Sequence, residues 1–388
     1  MCVEDLLLTL RCAIYCTVID NFGDVGVCWR LARQLAHEYE MDVVLWVDDL
    51  ASFSKLAPTL EVGLAQQKLD QITVCLWQEN DLIDIREHFD LVIEGFGCRL
   101  PDVMINRMAK QSADGQPPVW INLEYLSAEA WVVDCHAMPS THPQTGLIQY
   151  FWFPSFYAES GGLIREASLL NRSLDHSSIQ SDFWTELGIG NALNFDRRIS
   201  LFAYENEVIT HLLSDLVSDH LSTLLLIPMS KALTIVSEWA GRDLEVGDRI
   251  TQGALTVVVL PFMNHTDYDQ LLWACDLNIV RGEDSFIRAQ WSGKPLLWQI
   301  YPQEDDAHLL KLDAFVDYVA SSVDTHPSWL QAMNAWNSTS TQDHSWASYL
   351  AHLSCWTISA LDWQKHLTMQ SDLAKRLMHF YDQMAAKN

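Results

Sequence analysis

Short apolar runs alternate with amphipathic stretches along nearly the whole chain, and this alternation leaves few folds open. Such runs make strands buried on both faces. Stretches with helical spacing between them make crossover helices, so the pattern is that of an α/β protein with parallel sheets. Cys12–Ile19 reads as a first buried strand, followed by a glycine-containing turn. Val27, Leu31 and Leu35, with Ala32 and Ala36, then recur at helical spacing through about Glu40. Val43–Val47 is the second strand, completing one βαβ unit, and Ile72–Trp77, Leu91–Glu94 and Val119–Leu123 continue the series.

The polar stretch Arg172–Asp182 interrupts the pattern and marks a domain boundary. A second α/β series follows, with strands near Ile199–Tyr204, Thr223–Ile227, Leu255–Leu260, Leu277–Val280 and Pro295–Ile300. At 388 residues the chain exceeds what one hydrophobic core usually serves. The expected domains are residues 1–180 and 183–365. Asn337–His344 reads as a surface loop, and Leu361–Ala386 as a closing helix with Leu367, Leu373, Leu377 and Phe380 on one face. Two α/β halves imply a cleft between them. Open α/β sheets bind ligands beyond the carboxyl ends of their strands, so the loops after strands are where the site is sought.

Composition removes several function classes. The net charge of −27, from 24 basic and 51 acidic residues, opposes binding to phosphate backbones, so nucleic acid is not an expected partner. Acidity serves solubility and favours basic protein partners. Nine scattered cysteines without a C-x-x-C pair suggest neither a zinc site nor a disulfide framework, which fits a reducing cytoplasm. The first residues lack the basic segment of a signal peptide, and no uncharged apolar run is long enough to span a membrane.

Two loops carry the strongest chemical signals. Asp20-Asn21-Phe22-Gly23-Asp24-Val25-Gly26 follows the first strand and sets two carboxylates around a glycine-bearing turn. Such a pair can divide labour, one orienting a cation and the other taking a proton, while glycine allows positive φ and close approach of a ligand. Either aspartate could instead cap the helix. The spacing is not G-x-G-x-x-G, so no dinucleotide fingerprint is met. The second loop, Arg281-Gly282-Glu283-Asp284-Ser285-Phe286, follows a strand and opens a helix. Its backbone N–H groups, Ser285 hydroxyl and Arg281 guanidinium suit a diphosphate, against an N-cap by Asp284 or Ser285 and an ordinary salt bridge. Asp267-Tyr268-Asp269 matches a D-x-D metal pattern but opens an apolar helix, where capping is the expected role. Cys135-His136 beside Asp134 offers a nucleophile only by adjacency in sequence.

With these segments in view, the chain resembles the EarP-type protein-arginine rhamnosyltransferases, which modify elongation factor P. The similarity runs through Val18–Gly26, Glu124-Tyr125-Leu126-Ser127-Ala128-Glu129, Gly161-Gly162-Leu163-Ile164-Arg165-Glu166 and Arg281–Phe286. It continues in Ala289-Gln290, Gly293-Lys294-Pro295 and Tyr301-Pro302-Gln303, so it spans most of the chain. The resemblance implies a GT-B glycosyltransferase architecture, two facing Rossmann-like domains with a deep cleft, with the last helix, residues 366–388, returning to the N-terminal domain. It implies an inverting transfer of L-rhamnose from dTDP-β-L-rhamnose to an arginine of elongation factor P, activating that factor in the cytoplasm. Neither metal nor cofactor is implied.

The family's roles fall on residues of this chain. Asp24 matches the general base and Asp20 its partner, with Asn21, Phe22 and Gly23 on the donor side of the same turn. Arg281, Gly282, Glu283, Asp284 and Ser285 match the loop for nucleotide and diphosphate, Glu283 being a candidate for a catalytic part as well. Phe202, Tyr204 and Phe262 fall where aromatics approach the nucleotide. The chain departs from the family at His265, where Gln is frequent, and at Leu123, where some members carry Trp. Two other functions fit the same fold. One is a GT-B enzyme with a lipid-linked or small acceptor, against which the acidity argues. The other is a non-catalytic nucleotide-sugar sensor, which has no need of paired aspartates.

Overall fold

The apolar runs form the centres of two sheets in the computed structural model, which describes residues 9–19, 22–77, 88–169, 182–302, 307–338 and 345–387. The chain divides into two compact units, Met1–Ala167 with Gln370–Asn388, and Ser168–Met369. In the first unit, β1 (Arg11–Cys16), β2 (Asp42–Val47), β3 (Gln66–Leu69) and β4 (Ile72–Leu76) are joined by β5 (Leu91–Gly95), β6 (Val119–Leu123), β7 (Pro139–Thr141) and β8 (Ile148–Trp152). They lie in the order β3-β4-β2-β1-β5-β6-β8-β7. The central pairings are parallel, with Cys12 opposite both Val43 and Leu91. Cys12, Ala13 and Ile14 are fully buried on alternate faces, as a strand covered on both sides requires. Helix α1 (Gly23–Glu38) is the first crossover and buries Val27, Leu31, Leu35 and Cys28.

The second unit repeats this plan. β9 (Arg197–Leu201), β10 (Thr223–Pro228), β11 (Arg249–Gln252), β12 (Leu255–Leu260), β13 (Leu277–Arg281) and β14 (Leu296–Gln299) lie in the order β11-β12-β10-β9-β13-β14. Strand for strand this matches β3-β4-β2-β1-β5-β6, down to the antiparallel hairpin at the edge. The first unit adds β8 and β7 beyond β6. In each sheet the chain winds outward from one central strand and then returns to its other side. The direction reverses between β1 and β5, and again between β9 and β13, which is where open α/β sheets present ligand sites.

Several expected boundaries shift. The first strand ends at Cys16 and not at Ile19, because side chains replace the ladder beyond it: Val18 N–H donates to Asp48 at 2.9 Å and Ile19 N–H to Asp24 at 2.8 Å. The expected closing helix Leu361–Ala386 is two helices, Leu353–Thr368 and Leu373–Ala385. Asp372 caps the second by accepting from Lys375 N–H at 3.0 Å. Asn337 is not a loop residue but ends the helix Pro327–Asn337, its amide donating to the carbonyls of Trp298 and Met333. Residues 339–344, and all of the polar stretch 172–182 except Asp182, lie outside the described residues.

The last helix is fastened within the first unit. Arg376 donates to the carbonyls of Tyr157, Ala158 and Ser160 at 2.8–2.9 Å, and Leu373 N–H to Leu163 O at 2.8 Å. Gly162 has φ +73°, and a Cβ there would stand 3.0 Å from Arg376 Nε and 3.1 Å from Ser371 O, so glycine is required for the close approach. Arg30, fully buried, pairs with Glu166 through bonds of 2.7 and 2.8 Å beside the same loop. Among the described residues no helix is long and apolar enough to cross a membrane.

Candidate active site

The loop after β1 sets Asp24 in the first turn of α1, 2% exposed. Its carboxylate does not cap the helix. Phe22 holds the N-cap position, and Asp24 instead reaches back to accept Ile19 N–H at Oδ2, 2.8 Å, and the Tyr125 hydroxyl at Oδ1, 3.2 Å. Gly23 and Gly26 are both helical, so neither uses the positive φ expected of the turn. Gly26 N–H donates to Phe22 O at 2.9 Å, closing the first turn. Asp20 and Asn21 lie outside the described residues.

Tyr125 and its neighbours come from the loops after β5 and β6. Phe96 adopts φ +56°, a left-handed conformation costing a bulky residue on the order of 1 kcal/mol. Its N–H donates to Leu123 O at 2.7 Å. The ring then lies against Tyr125, centroids 4.4 Å apart and planes at 19°. Below them a polar cluster tightens the two loops. Glu94 accepts from Arg99 N–H at 2.7 Å and from Gln149 at 2.6 Å, and Asn122 donates to Glu124 at 2.7 Å. Burial pushes both the Glu94 and the Glu124 carboxyls above the usual range.

In the second unit, the loops after β9, β13 and β14 gather a cation among aromatic rings. The Arg281 guanidinium lies 4.5 Å from the Tyr204 ring centre and 4.8 Å from that of Phe202. Tyr204 is fixed by its N–H to Gln299 Oε1, 2.8 Å, and packs edge-on against Tyr301 at 5.4 Å. The Ser285 hydroxyl accepts Arg281 N–H at 3.2 Å and donates to Arg281 O, so it pins the turn on itself rather than capping the helix Asp284–Gln290. Gly282, at φ +60°, lets the chain double back, and its carbonyl accepts from Trp298 Nε1 at 2.8 Å. Glu283 occupies the N-cap position without a side-chain bond to the helix N–H groups. Phe262, half-buried, lies on the loop after β12.

Behind this loop sits a buried ion network. Arg288 donates from Nη1 to both carboxylate oxygens of Asp269, at 2.8 and 2.9 Å, and its Nε reaches Asp284 at 3.1 Å. His265 Nε2 lies 3.2 Å from the same Asp284 carboxylate. Tyr268 is buried alongside, its phenol pushed well above the ordinary value by burial. The D-x-D pair is thereby accounted for: Asp267 bonds to Asn264, which caps the helix His265–Ala274, and Asp269 is occupied by Arg288. Capping thus falls to Asn264, not to the aspartates. His136 also has a structural place. Its Nδ1 accepts Phe153 N–H at 3.3 Å, its ring lies 4.4 Å from Trp152, and burial, aided by Arg376, pushes it down to about 4.

The folded chain therefore brings together Arg281, Ser285, Phe202 and Tyr204 in one unit, and in the other gives Asp24 a partner, Tyr125, from 101 residues away. Sequence reasoning found no role for Tyr125, Phe96 or Arg288. For Tyr125 the available signal was its place directly after an apolar strand.

A family model described as Elongation-Factor P (EF-P) rhamnosyltransferase EarP matches residues 12–382. A protein-arginine rhamnosyltransferase of Pseudomonas aeruginosa is 43% identical over 378 residues, covering 95% of this chain and 98% of that protein. One from Shewanella oneidensis is 36% identical over 393 residues, covering 95% and 96%. A solved structure concerned with EarP-mediated arginine glycosylation of translation elongation factor EF-P has 32% identity and a TM-score of 0.66, covering 96% of this chain and 99% of that one. The glycosyltransferase VinC in complex with dTDP, at 11% identity and TM-score 0.51 over 98% of this chain and all of that one, shares the fold alone. The fold is that of the GT-B glycosyltransferases.

Proposed function

The chain belongs to the EarP family of rhamnosyltransferases, and we propose that it moves L-rhamnose from dTDP-β-L-rhamnose, with inversion, to an arginine of translation elongation factor P. The observation that carries the proposal is the buried Asp24 carboxylate at the switch point of the first unit of an EarP-family chain. A guanidinium stays cationic up to about pH 12 and is delocalised, hence a poor nucleophile. It has to be gripped and relieved of a proton as it attacks. Asp24, held by Ile19 N–H and Tyr125, is the proposed base, and Asp20 the carboxylate that orients the fork. A carboxylate offers about four lone-pair sites, so accepting these two bonds is compatible with taking a guanidinium N–H as well.

The donor belongs to the second unit. Arg281 and the N–H groups of the Gly282–Ser285 turn are suited to the diphosphate, and Phe202, Tyr204 and Phe262 to the nucleoside. As the bond to the sugar breaks, negative charge grows on the departing dTDP, and the Arg281 guanidinium meets it. Ser285 joins by turning its hydroxyl from Arg281 O to a phosphate oxygen. Asp284 is held by Arg288 and His265, so its part is to shape the loop and not to touch the anion. Attack from the face opposite dTDP inverts the anomeric carbon. No metal or cofactor enters this scheme, and an acceptor that is a translation factor sets the reaction in the cytoplasm.

Incubation with dTDP-β-L-rhamnose and elongation factor P, followed by intact mass, tests the proposal. A gain of one deoxyhexose on an arginine of the factor supports it. No gain with an active donor, or a sugar on another residue type, overturns it.

A further inference from the structure

Tyr125 is 41% exposed although one face of its ring is covered by Phe96. Its tip is tied to Asp24 Oδ1 at 3.2 Å, and its backing ring is fixed by the left-handed backbone of Phe96. An exposed aromatic surface is thus held rigidly beside a buried carboxylate. Backbone strain in a loop at a switch point is where function is to be sought. A guanidinium is planar and weakly hydrated, stacks on aromatic faces and forks onto carboxylates, whereas an ammonium is compact and strongly hydrated. The same chain already pairs these groups: Arg281 rests on Tyr204 at 4.5 Å.

From these observations we infer that Tyr125 is the platform on which the acceptor guanidinium lies while Asp24 engages its N–H groups, which makes Tyr125 a determinant of arginine over lysine. This rests on the proposed arginine acceptor. The ring supplies binding and the hydroxyl supplies orientation of Asp24, so two substitutions separate the roles.

The test is steady-state transfer with elongation factor P as the varied acceptor at saturating dTDP-β-L-rhamnose. Tyr125→Leu raises the acceptor KM roughly tenfold and leaves the donor KM unchanged. Tyr125→Phe keeps the acceptor KM near the parent value and lowers kcat several-fold. An unchanged acceptor KM in Tyr125→Leu overturns the inference, and so does a Tyr125→Phe that raises KM as much as Tyr125→Leu. On the unsubstituted chain, methylguanidinium inhibits competitively against the acceptor and more strongly than methylammonium. Equal inhibition by the two cations overturns the platform whether or not the variants fold. Absence of transfer by the unsubstituted chain defeats the arginine-acceptor proposal itself, which distinguishes that failure from this one.

Discussion

In the first unit the loops after β1, β5 and β6 carry Asp24, Phe96 and Tyr125. In the second the equivalent positions, the loop after β9, the end of β13 and the loop after β14, carry Phe202 with Tyr204, Arg281 and Tyr301. The strand order is shared, and so are the loops in use, but the charge is reversed. One unit holds an anion by a backbone N–H and a phenol, with aromatic stacking behind the phenol. The other holds a cation against two ring faces, with a buried ion network behind it. Topology determines which loops converge, and a few side chains decide what those loops attract.

The comparison breaks most sharply if the anion is dispensable. Asp24→Asn keeps the shape of the loop but removes the base, and transfer falls about 100- to 10,000-fold while dTDP affinity is unchanged. The readout is intact-mass kinetics beside a dTDP titration, and a rate within about tenfold of the parent removes Asp24 from the role.

The second unit's network is tested by Arg288→Met, which leaves the buried Asp269 and the half-buried Asp284 without their shared cation. Urea unfolding should show a loss of about 3–5 kcal/mol. An unchanged midpoint means that the network does not organise the loop.

Arg281→Ala sharpens the comparison at the ligand. It should weaken dTDP binding by about 1.5–3 kcal/mol, as for a hydrogen bond to a charged group, with Ser285→Ala weakening it by about 1 kcal/mol. Calorimetric titration gives both values, and undiminished affinity in the two variants would falsify the assignment of this loop to the diphosphate.

The smallest effect concerns His136. Its folded-state value of about 4 lies below the ordinary 6.5, so unfolding takes up a proton between them. Its contribution is intact above pH 6.5, erodes as pH falls toward 4 and is constant below. Because the ring is partly exposed, the loss is on the order of 1 kcal/mol. His136→Phe should flatten that part of the pH-stability curve, and an unaltered curve refutes the assignment.

The central strands were legible because Val43–Val47 is wholly apolar, and Val119–Leu123 and Leu255–Leu260 are apolar except for Asn122 and Thr256. Their burial on both faces writes itself into composition. The edge strands β3, β7 and β11 were not, since Gln66–Leu69, Pro139–Thr141 and Arg249–Gln252 are largely solvated and look like loops. The break before Leu373 had a signal that helical spacing masked: Ser371-Asp372 ahead of an apolar helix is an N-cap pattern. At the site, Asp24 stood out by its place after a strand. Its bond to Tyr125 could not, because adjacency of β1, β5 and β6 creates it across 101 positions of sequence. Ser285 was recognisable as a polar group on the right loop, but its bond to Arg281 O depends on how the turn closes.

The fastening of Arg376 to the carbonyls around Ser160 has a consequence for synthesis. The first unit cannot be finished when residue 167 leaves the ribosome, because its closing helix is encoded after the whole of Ser168–Met369. At about 5–20 residues per second, tens of seconds pass before that helix emerges. Throughout that interval the Tyr157–Leu163 loop and the helix α1 face near Gln34 lack their last neighbours, and the nascent chain holds the site loops together without that helix.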